Sequence, residues 1–176
     1  MNKYRVSPGD PKYSEIRFKS TKRELEKYNI GIALDADGPN LFSLKLGITS
    51  SLDRLTDLNR KWDLKKQYDT ISSFEVIEHL QNPLLYLDCI YNHLIDGGRI
   101  MLTTPVKWMF KGRYHFHEFT KDELDFCLTE AKFTNIQIKR ISAYTLRHFG
   151  IRPIIRKIRD LLLGQCFFVV ATKIKK

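Results

Sequence analysis

The sequence predicts a single α/β domain built on a doubly wound, mostly parallel sheet. Short apolar, β-branched runs alternate with helical periods of about 10–15 residues, which is the pattern of parallel βαβ units. The chain has 176 residues, 43% of them apolar, which suffices for one hydrophobic core. The last two β runs break the rhythm, because a basic helical insert near residues 147–163 lies between them. We therefore expect one domain over residues 1–176.

Composition narrows the classes of protein to consider. Thirty Lys and Arg face twenty Asp and Glu, a formal net charge of +10, which favours anionic partners. Three separated cysteines without a CxxC pair indicate reduced, buried thiols. The polar start predicts no signal peptide, and no apolar run approaches the roughly 18 residues of a membrane span. We expect a soluble, cytoplasmic protein in which the basic insert makes at most a weak membrane-surface contact.

The first half of the chain predicts two strands and two helices. A short strand is expected at residues 3–6, followed by breakers at 7–11 and a helix at 12–29. Residues 30–34 have the profile of a buried strand that stops at Asp35, and 41–46 that of a short helix. The pattern between residues 49 and 59 is ambiguous and supports only a short strand ending near Asp57.

The second half has clearer boundaries. A strand is expected at 70–76, and Asn82 followed by Pro83 starts a helix that Gly97 and Gly98 would end. Further strands are expected at 99–104, 136–140 and 166–174. Thr120 and Glu123 form a capping box at the start of the helix before the last two strands.

Polar residues follow several of the expected strands. Open α/β sheets bind ligands at the carboxyl ends of their strands. Asp35, Asp57 and Glu75 stand at such ends, and acids at successive strand ends suit a nucleoside-containing cofactor. Glu75, Glu78 and His79 share one face if the strand passes into a helical turn.

Three segments, at residues 68–83, 94–105 and 115–120, carry a family resemblance. They resemble the class I S-adenosylmethionine-dependent methyltransferases, specifically the small type 11/type 23 group. The resemblance implies a Rossmann-like sheet of order 3-2-1-4-5-7-6 with an antiparallel last strand. It implies S-adenosylmethionine as cofactor and an acid that binds its ribose at Asp35. The cofactor-binding residues that it suggests are Ser7, Gly9, Asp35, Asp57, Leu58, Phe74 and Glu75.

The glycine-rich cofactor turn of this group would then fall within residues 4–13. Only Gly9 remains of its glycines there, Ser7 and Pro11 replace two others, and Arg5 stands where an acid is usual. Proline has a fixed φ and no N–H, so Pro11 cannot imitate a glycine of positive φ. An alternative function follows: a methyltransferase-like domain that has lost its cofactor and serves as a binding or regulatory subunit.

The catalytic candidates are Glu78, His79 and His115. The ordinary pKa of histidine suits His79 to remove a proton from a hydroxyl acceptor. We expect O-methylation of a small or saccharide-type acceptor, anionic if the basic insert contacts it, and no nucleic-acid partner. With His115 or His117, the acids could also hold a divalent metal, as a similar set does in small-RNA 2′-O-methyltransferases. A metal-dependent RNA 2′-O-methyltransferase is therefore a further alternative function. Metal-free relatives share the Glu-His pair, so the sequence assigns no metal. The sequence leaves the oligomeric state open.

Overall fold

The computed structural model describes residues 11–38, 41–53, 55–107, 114–142 and 165–175. These residues form four α-helices, one short 3₁₀ helix and six strands. The strands β1 to β6 are Ala33–Asp35, Ser50–Ser51, Tyr68–Phe74, Leu94–Pro105, Phe133–Ser142 and Gln165–Lys173. The helices α1 to α4 are Pro11–Leu25, Leu41–Lys45, Pro83–His93 and Lys121–Glu130, and the 3₁₀ helix is Ile77–His79.

The six described strands form one sheet in the order β2-β1-β3-β4-β6-β5. The strands β2, β1, β3 and β4 are parallel to one another, whereas β6 runs antiparallel to both β4 and β5. The predicted α/β class with a mostly parallel, doubly wound sheet is confirmed. The antiparallel last strand that the family resemblance implied is also present.

The sheet order corrects the position of one strand. Residues 30–34 were expected to contain the second strand, but β1 lies between β2 and β3. In the family order 3-2-1-4-5-7-6, strand 1 lies beside strand 4. The observed β3 corresponds to strand 4 of that order, and its neighbour β1 therefore corresponds to strand 1. Residues 3–6, the expected first strand, lie outside the described residues. The turn after the sheet's first strand therefore begins at Ala36, and the described residues follow it to Gly38.

Alternating side chains of the central strands separate two cores. Ile100 and Leu102 of β4 face the larger core with α3 and α4, whereas Met101 between them faces the smaller core. Leu25 of α1 and Leu46 just after α2 belong to the smaller core. Successive residues of a strand point to opposite faces, so helices must cover both sides of this sheet.

The helix starts follow local capping chemistry. Asn82 caps α3 by accepting a hydrogen bond from the Leu85 N–H, with Pro83 at the first helical position. Thr120 and Glu123 form the expected capping box of α4. The expected end of α3 was wrong, because the helix stops at His93 and β4 begins at Leu94.

Other expectations can be compared with the described residues. Cys89, Cys127 and Cys166 are all free; Cys89 and Cys166 are buried as expected, whereas Cys127 is only half-buried. The basic insert near 147–163 lies outside the described residues. Within the described part of the chain, no helix combines the length and the apolar character needed to cross a bilayer.

Candidate active site

The carboxyl ends of β1, β3 and β4 meet at one edge of the sheet. Asp35 of β1 lies opposite Ser72 of β3, and Phe74 of β3 lies opposite Thr103 of β4. Because these strands are parallel, the segments that follow them leave the sheet side by side. This edge is where open α/β sheets bind their ligands.

The turn after β1 is held by a buried carboxylate. Asp35 Oδ1 accepts a hydrogen bond of 3.2 Å from the backbone N–H of Asp37, and Oδ2 accepts one from the Ser43 hydroxyl of α2. Gly38 is buried and has a φ of 130°, which side-chain-bearing residues rarely adopt. The turn therefore brings backbone, with no side chain at Gly38, to the edge of the sheet.

Two further acids stand beside this turn. Asp53 follows β2 after Leu52, whose N–H donates to the Asp35 carbonyl at 3.0 Å. Asp57 Oδ1 accepts from the Asn59 N–H at 3.0 Å, and Leu58 between those two residues is buried. Both acids are exposed. Asp53 Oδ1 accepts a hydrogen bond of 2.8 Å from the Leu55 N–H, and Asp57 Oδ2 pairs with Arg60 at 3.3 Å.

Glu75 ends β3 in an unusual backbone conformation. Its φ is 57°, in the left-handed region that a non-glycine residue rarely occupies. A hydrogen bond of 2.9 Å from its N–H to the Thr103 carbonyl holds it there. Glu75 Oε2 accepts a hydrogen bond of 3.1 Å from Arg17 of α1, so α1 contacts the same edge. Strained residues of this kind concentrate at functional sites.

Glu78 is a carboxylic acid buried in the 3₁₀ helix. Its side chain is 1% exposed, and its Oε2 accepts a hydrogen bond of 3.1 Å from the Thr104 hydroxyl. Among the described residues, its Oε1 has no hydrogen-bond partner. Burial, together with the negative charge of Glu75, raises the pKa of Glu78 well above its usual range.

Two imidazoles lie beside Glu78. His79 Nε2 is 3.8 Å from Glu78 Oε1, and the rings of His79 and His115 pack edge to face with centroids 4.9 Å apart. One ligand atom from each of the three residues lies within 4.8 Å of the others. We call Glu78, His79 and His115 the acid–imidazole cluster. The structure selects His115 over His117, whose ring stacks on Phe119.

Hydrogen bonds fix both imidazole rings. His79 Nδ1 donates to the Tyr114 carbonyl at 3.0 Å, which leaves a lone pair on Nε2. His115 Nδ1 lies 3.1 Å from the Glu118 carboxylate, which accepts its N–H. Burial lowers the pKa of His79, so the ring is neutral near pH 7.

A groove of about 760 Å³ begins at the segment that directly follows His115, although Glu78, His79 and His115 do not line it. It runs between the starts of α3 and α4, and residues 116–118, directly after His115, line one side. The backbone N–H groups of Phe116 and His117 donate to the Glu78 carbonyl at 2.8 and 3.1 Å. Cluster and groove are thus connected through one short segment. Its lining combines the aromatic Phe116 and Phe126 with polar groups such as Asn82 and Asp122.

Comparison with known proteins identifies the family. A family model described as a methyltransferase domain matches residues 18–138, more than half of the chain. The chain belongs to this methyltransferase family. It is thus an S-adenosylmethionine-dependent enzyme by class, and S-adenosylmethionine is the cofactor of that class.

Solved structures of methyltransferases share this fold. An S-adenosylmethionine-dependent methyltransferase of Thermotoga maritima is similar with a TM-score of 0.67 at 14% identity, over 92% of this chain and 91% of that one. The 1,6-didemethyltoxoflavin-N1-methyltransferase of Burkholderia thailandensis, solved with S-adenosylhomocysteine, has a TM-score of 0.65 at 17% identity, over 92% and 80%. Phosphoethanolamine N-methyltransferase 2 of Haemonchus contortus, with S-adenosylmethionine bound, has a TM-score of 0.63 at 12% identity, over 98% and 55%. No curated protein matches the sequence.

The residues of this methyltransferase fit its cofactor at the turn after β1. A side chain at position 38 would be strained by the positive φ, so glycine is favoured there and the turn carries no side chain at that position. The expected role of Asp35 as the ribose acid stays a prediction; its carboxylate accepts hydrogen bonds from the Asp37 N–H and from the Ser43 hydroxyl of α2. The acid at the end of the neighbouring strand β2 is Asp53, which the sequence reasoning did not single out.

The structure brings most of the expected site residues to one edge. Glu78, His79 and His115 form one cluster, and Asp35, Phe74 and Glu75 lie at neighbouring strand ends. Asp57 and Leu58 lie in the segment after β2, whereas Ser7 and Gly9 lie outside the described residues. Thr104 and Arg17 were missed, because their contacts join positions far apart in the sequence.

Proposed function

We propose that this methyltransferase transfers a methyl group from S-adenosylmethionine to a hydroxyl oxygen of a small, saccharide-type acceptor. The acid–imidazole cluster at the sheet edge is the observation that carries the proposal. Bound S-adenosylmethionine supplies an electrophilic methyl group on a good leaving group, so the protein's main task is to position the acceptor in line.

The cluster suits a hydroxyl better than an amine. A hydroxyl has a proton to give up as the new bond to carbon forms, and it donates a hydrogen bond before that. His79 has a neutral ring and an Nε2 lone pair directed toward the cluster, so it can accept that proton. A neutral amine attacks through its own lone pair and needs no base until after transfer.

The groove favours an acceptor of limited size. Its volume of about 760 Å³ lies within the range of small-molecule sites, about 300–1,000 Å³. Exposed Phe116 and Phe126 offer flat apolar surfaces, while Asn82 and Asp122 offer hydrogen bonds to hydroxyl groups. Lys107, a cation of the groove, is paired with Glu123 at 2.6 Å. An uncharged sugar therefore fits this groove better than an anion does.

We assign the cofactor to the other side of the same edge. The turn at residues 36–38 would contact its methionine part, and Asp53 its ribose hydroxyl groups. Asp57 and the N–H of Leu58 would lie at the adenine. The support is positional, because all three segments follow strands at the carboxyl edge of the sheet.

Titration calorimetry with S-adenosylhomocysteine tests the cofactor assignment. We expect Asp53→Asn to weaken binding by about 10- to 100-fold, since hydrogen bonds to a charged group contribute about 1.5–3 kcal/mol. Asp88→Asn, an exposed acid of α3, is the control and should bind like the unaltered protein. Equal affinities of Asp53→Asn and Asp88→Asn would show that Asp53 does not hold the cofactor.

Transfer itself can be tested with sugars and their amino-sugar counterparts, such as glucose and glucosamine. Mass spectrometry of the products should find the methyl group on oxygen in both. His79→Gln should lower kcat by about 10²–10⁴-fold while S-adenosylhomocysteine still binds. Turnover of amino sugars alone, with N-methyl products, would contradict the oxygen assignment, and no turnover of any sugar would contradict the saccharide class.

A further inference from the structure

We propose that the acid–imidazole cluster is a binding site for a divalent transition-metal ion. One ligand atom each from Glu78, His79 and His115 lies within 4.8 Å of the others. Donors that share one ion at about 2.1 Å lie at most about 4.2 Å apart, so side-chain movement of under about 1 Å would close the site.

The unpartnered oxygen of Glu78 is the second observation. The Glu78 side chain is 1% exposed and its Oε2 is occupied by the Thr104 hydroxyl. Its Oε1, 3.8 Å from His79 Nε2, accepts no hydrogen bond from the described residues. Buried polar atoms are nearly always paired, so this oxygen indicates a missing partner inside the cluster.

Both histidines are oriented as metal ligands usually are. A ligating histidine commonly donates its second ring N–H to a carbonyl or carboxylate, which fixes the ring and raises the basicity of the ligating nitrogen. His79 donates to the Tyr114 carbonyl, and His115 to the Glu118 carboxylate. The remaining ring nitrogen, Nε2, is then free to bind a cation in each.

The donor set and charge select the kind of ion. Two imidazoles with one carboxylate suit Mn²⁺, Fe²⁺, Co²⁺ or Zn²⁺ better than Mg²⁺ or Ca²⁺, which prefer oxygen ligands. Glu75 adds one negative charge nearby, and Arg17 pairs with it at 3.1 Å. With the ion bound, His79 Nε2 is a ligand and is no longer available as the base. Three protein ligands leave coordination positions open, and an acceptor hydroxyl bound there would give up its proton more readily, because the ion would lower the pKa of that hydroxyl.

Titration calorimetry of Mn²⁺ into the full chain, with no cofactor or sugar present, tests this site. We expect one ion per chain, with affinity lowered more than about 100-fold in Glu78→Gln and in His79→Gln. Glu118→Gln should weaken binding by about 10- to 100-fold, as expected for a residue that orients a ligand. His117→Ala is the matched control, two residues from His115 and outside the cluster, and should bind as the unaltered protein does.

Either of two results would overturn the site: no Mn²⁺ binding, or binding that Glu78→Gln and His79→Gln leave unchanged. If both variants unfold, pulsed electron paramagnetic resonance of Mn²⁺ bound to the unaltered protein tests the site instead. Coupling to imidazole nitrogen supports the site, and its absence contradicts it. The measurement uses no methyl donor, so loss of the metal site would leave the methyltransferase proposal intact, and failure of sugar methylation would leave the metal site intact.

Discussion

Tyr86 of α3 connects the helix to the turn that we assign to the cofactor. It is fully buried, and its hydroxyl lies 2.9 Å from Ser73 Oγ of β3 and 3.3 Å from the Ala36 carbonyl. Burial raises the pKa of Tyr86 well above its usual range, so the hydroxyl keeps its proton as a donor. One side chain thus holds together a helix, a strand and the turn after β1.

Removing the Tyr86 hydroxyl should lower the stability of the protein without leaving a cavity in the core. We expect Tyr86→Phe to lower the free energy of unfolding by about 1–2 kcal/mol, because buried acceptors lose their donor while the ring stays in place. Tyr91→Phe is the control, since Tyr91 packs through its ring against Phe133. Urea denaturation of both variants measures the difference. Equal midpoints for the two variants would show that the Tyr86 hydroxyl does not contribute.

Single residues of the site were predictable where a local motif marks them. Glu78 and His79 stand in a short segment with an evident pattern, and both are in the cluster. Asp53 could not be found in this way, because β2 has only two residues and no period is visible over that length. The selection of His115 over His117 depends on tertiary packing of the loop, which spacing does not determine.

At the scale of elements, α4 shows how one pair of residues sets a helix start. The Thr120 hydroxyl accepts from the Glu123 N–H at 3.2 Å, and the Glu123 carboxylate accepts from the Thr120 N–H at 2.7 Å. Lys107 after β4 also donates to Glu123 at 2.6 Å. The hydrogen bond from Lys107, followed by that from Thr120, lowers the pKa of Glu123 to about 2.

This shift predicts a pH-dependent stability. The folded-state pKa of about 2 lies below the ordinary value of 4.5, so the unfolded chain binds more protons between these values. The stabilisation by Glu123 should be complete above about pH 4.5 and lost as the pH falls to about 2. The difference in unfolding free energy between the unaltered protein and Glu123→Gln should therefore close over that window. Glu130→Gln, at the other end of α4, should not reproduce this change.

The residues at which helices start were more predictable than the residues at which they end, or than which strands are neighbours in the sheet. Asn82 and Pro83 mark the start of α3 because capping is a local interaction. Its end was misjudged, since Gly97 and Gly98 suggest a helix stop, whereas Leu94 already pairs with Tyr68 of β3. That pairing joins residues far apart in the sequence. The place of β1 in the sheet was misjudged for the same reason.

At the scale of the whole molecule, the order of the strands determines which of them are most protected. In the described sheet β1, β3, β4 and β6 have hydrogen-bonded neighbours on both sides, whereas β2 and β5 are at the ends of the order. Ile71, Ile100 and Val169, one each from β3, β4 and β6, are fully buried. Most residues of β5, in contrast, are exposed or half-buried. The two cores meet at the inner strands, so opening any of these strands disrupts both faces.

Hydrogen exchange should follow this order. Amides of β3, β4 and β6 should exchange only through global unfolding, because breaking their hydrogen bonds exposes both cores. The two residues of β2 and the exposed half of β5 should exchange faster, through local opening. Exchange measured by mass spectrometry at several urea concentrations separates the routes, since global opening accelerates with urea and local opening does not. If β2 were as protected as β4, and equally sensitive to urea, the terminal position of β2 in the sheet would be wrong.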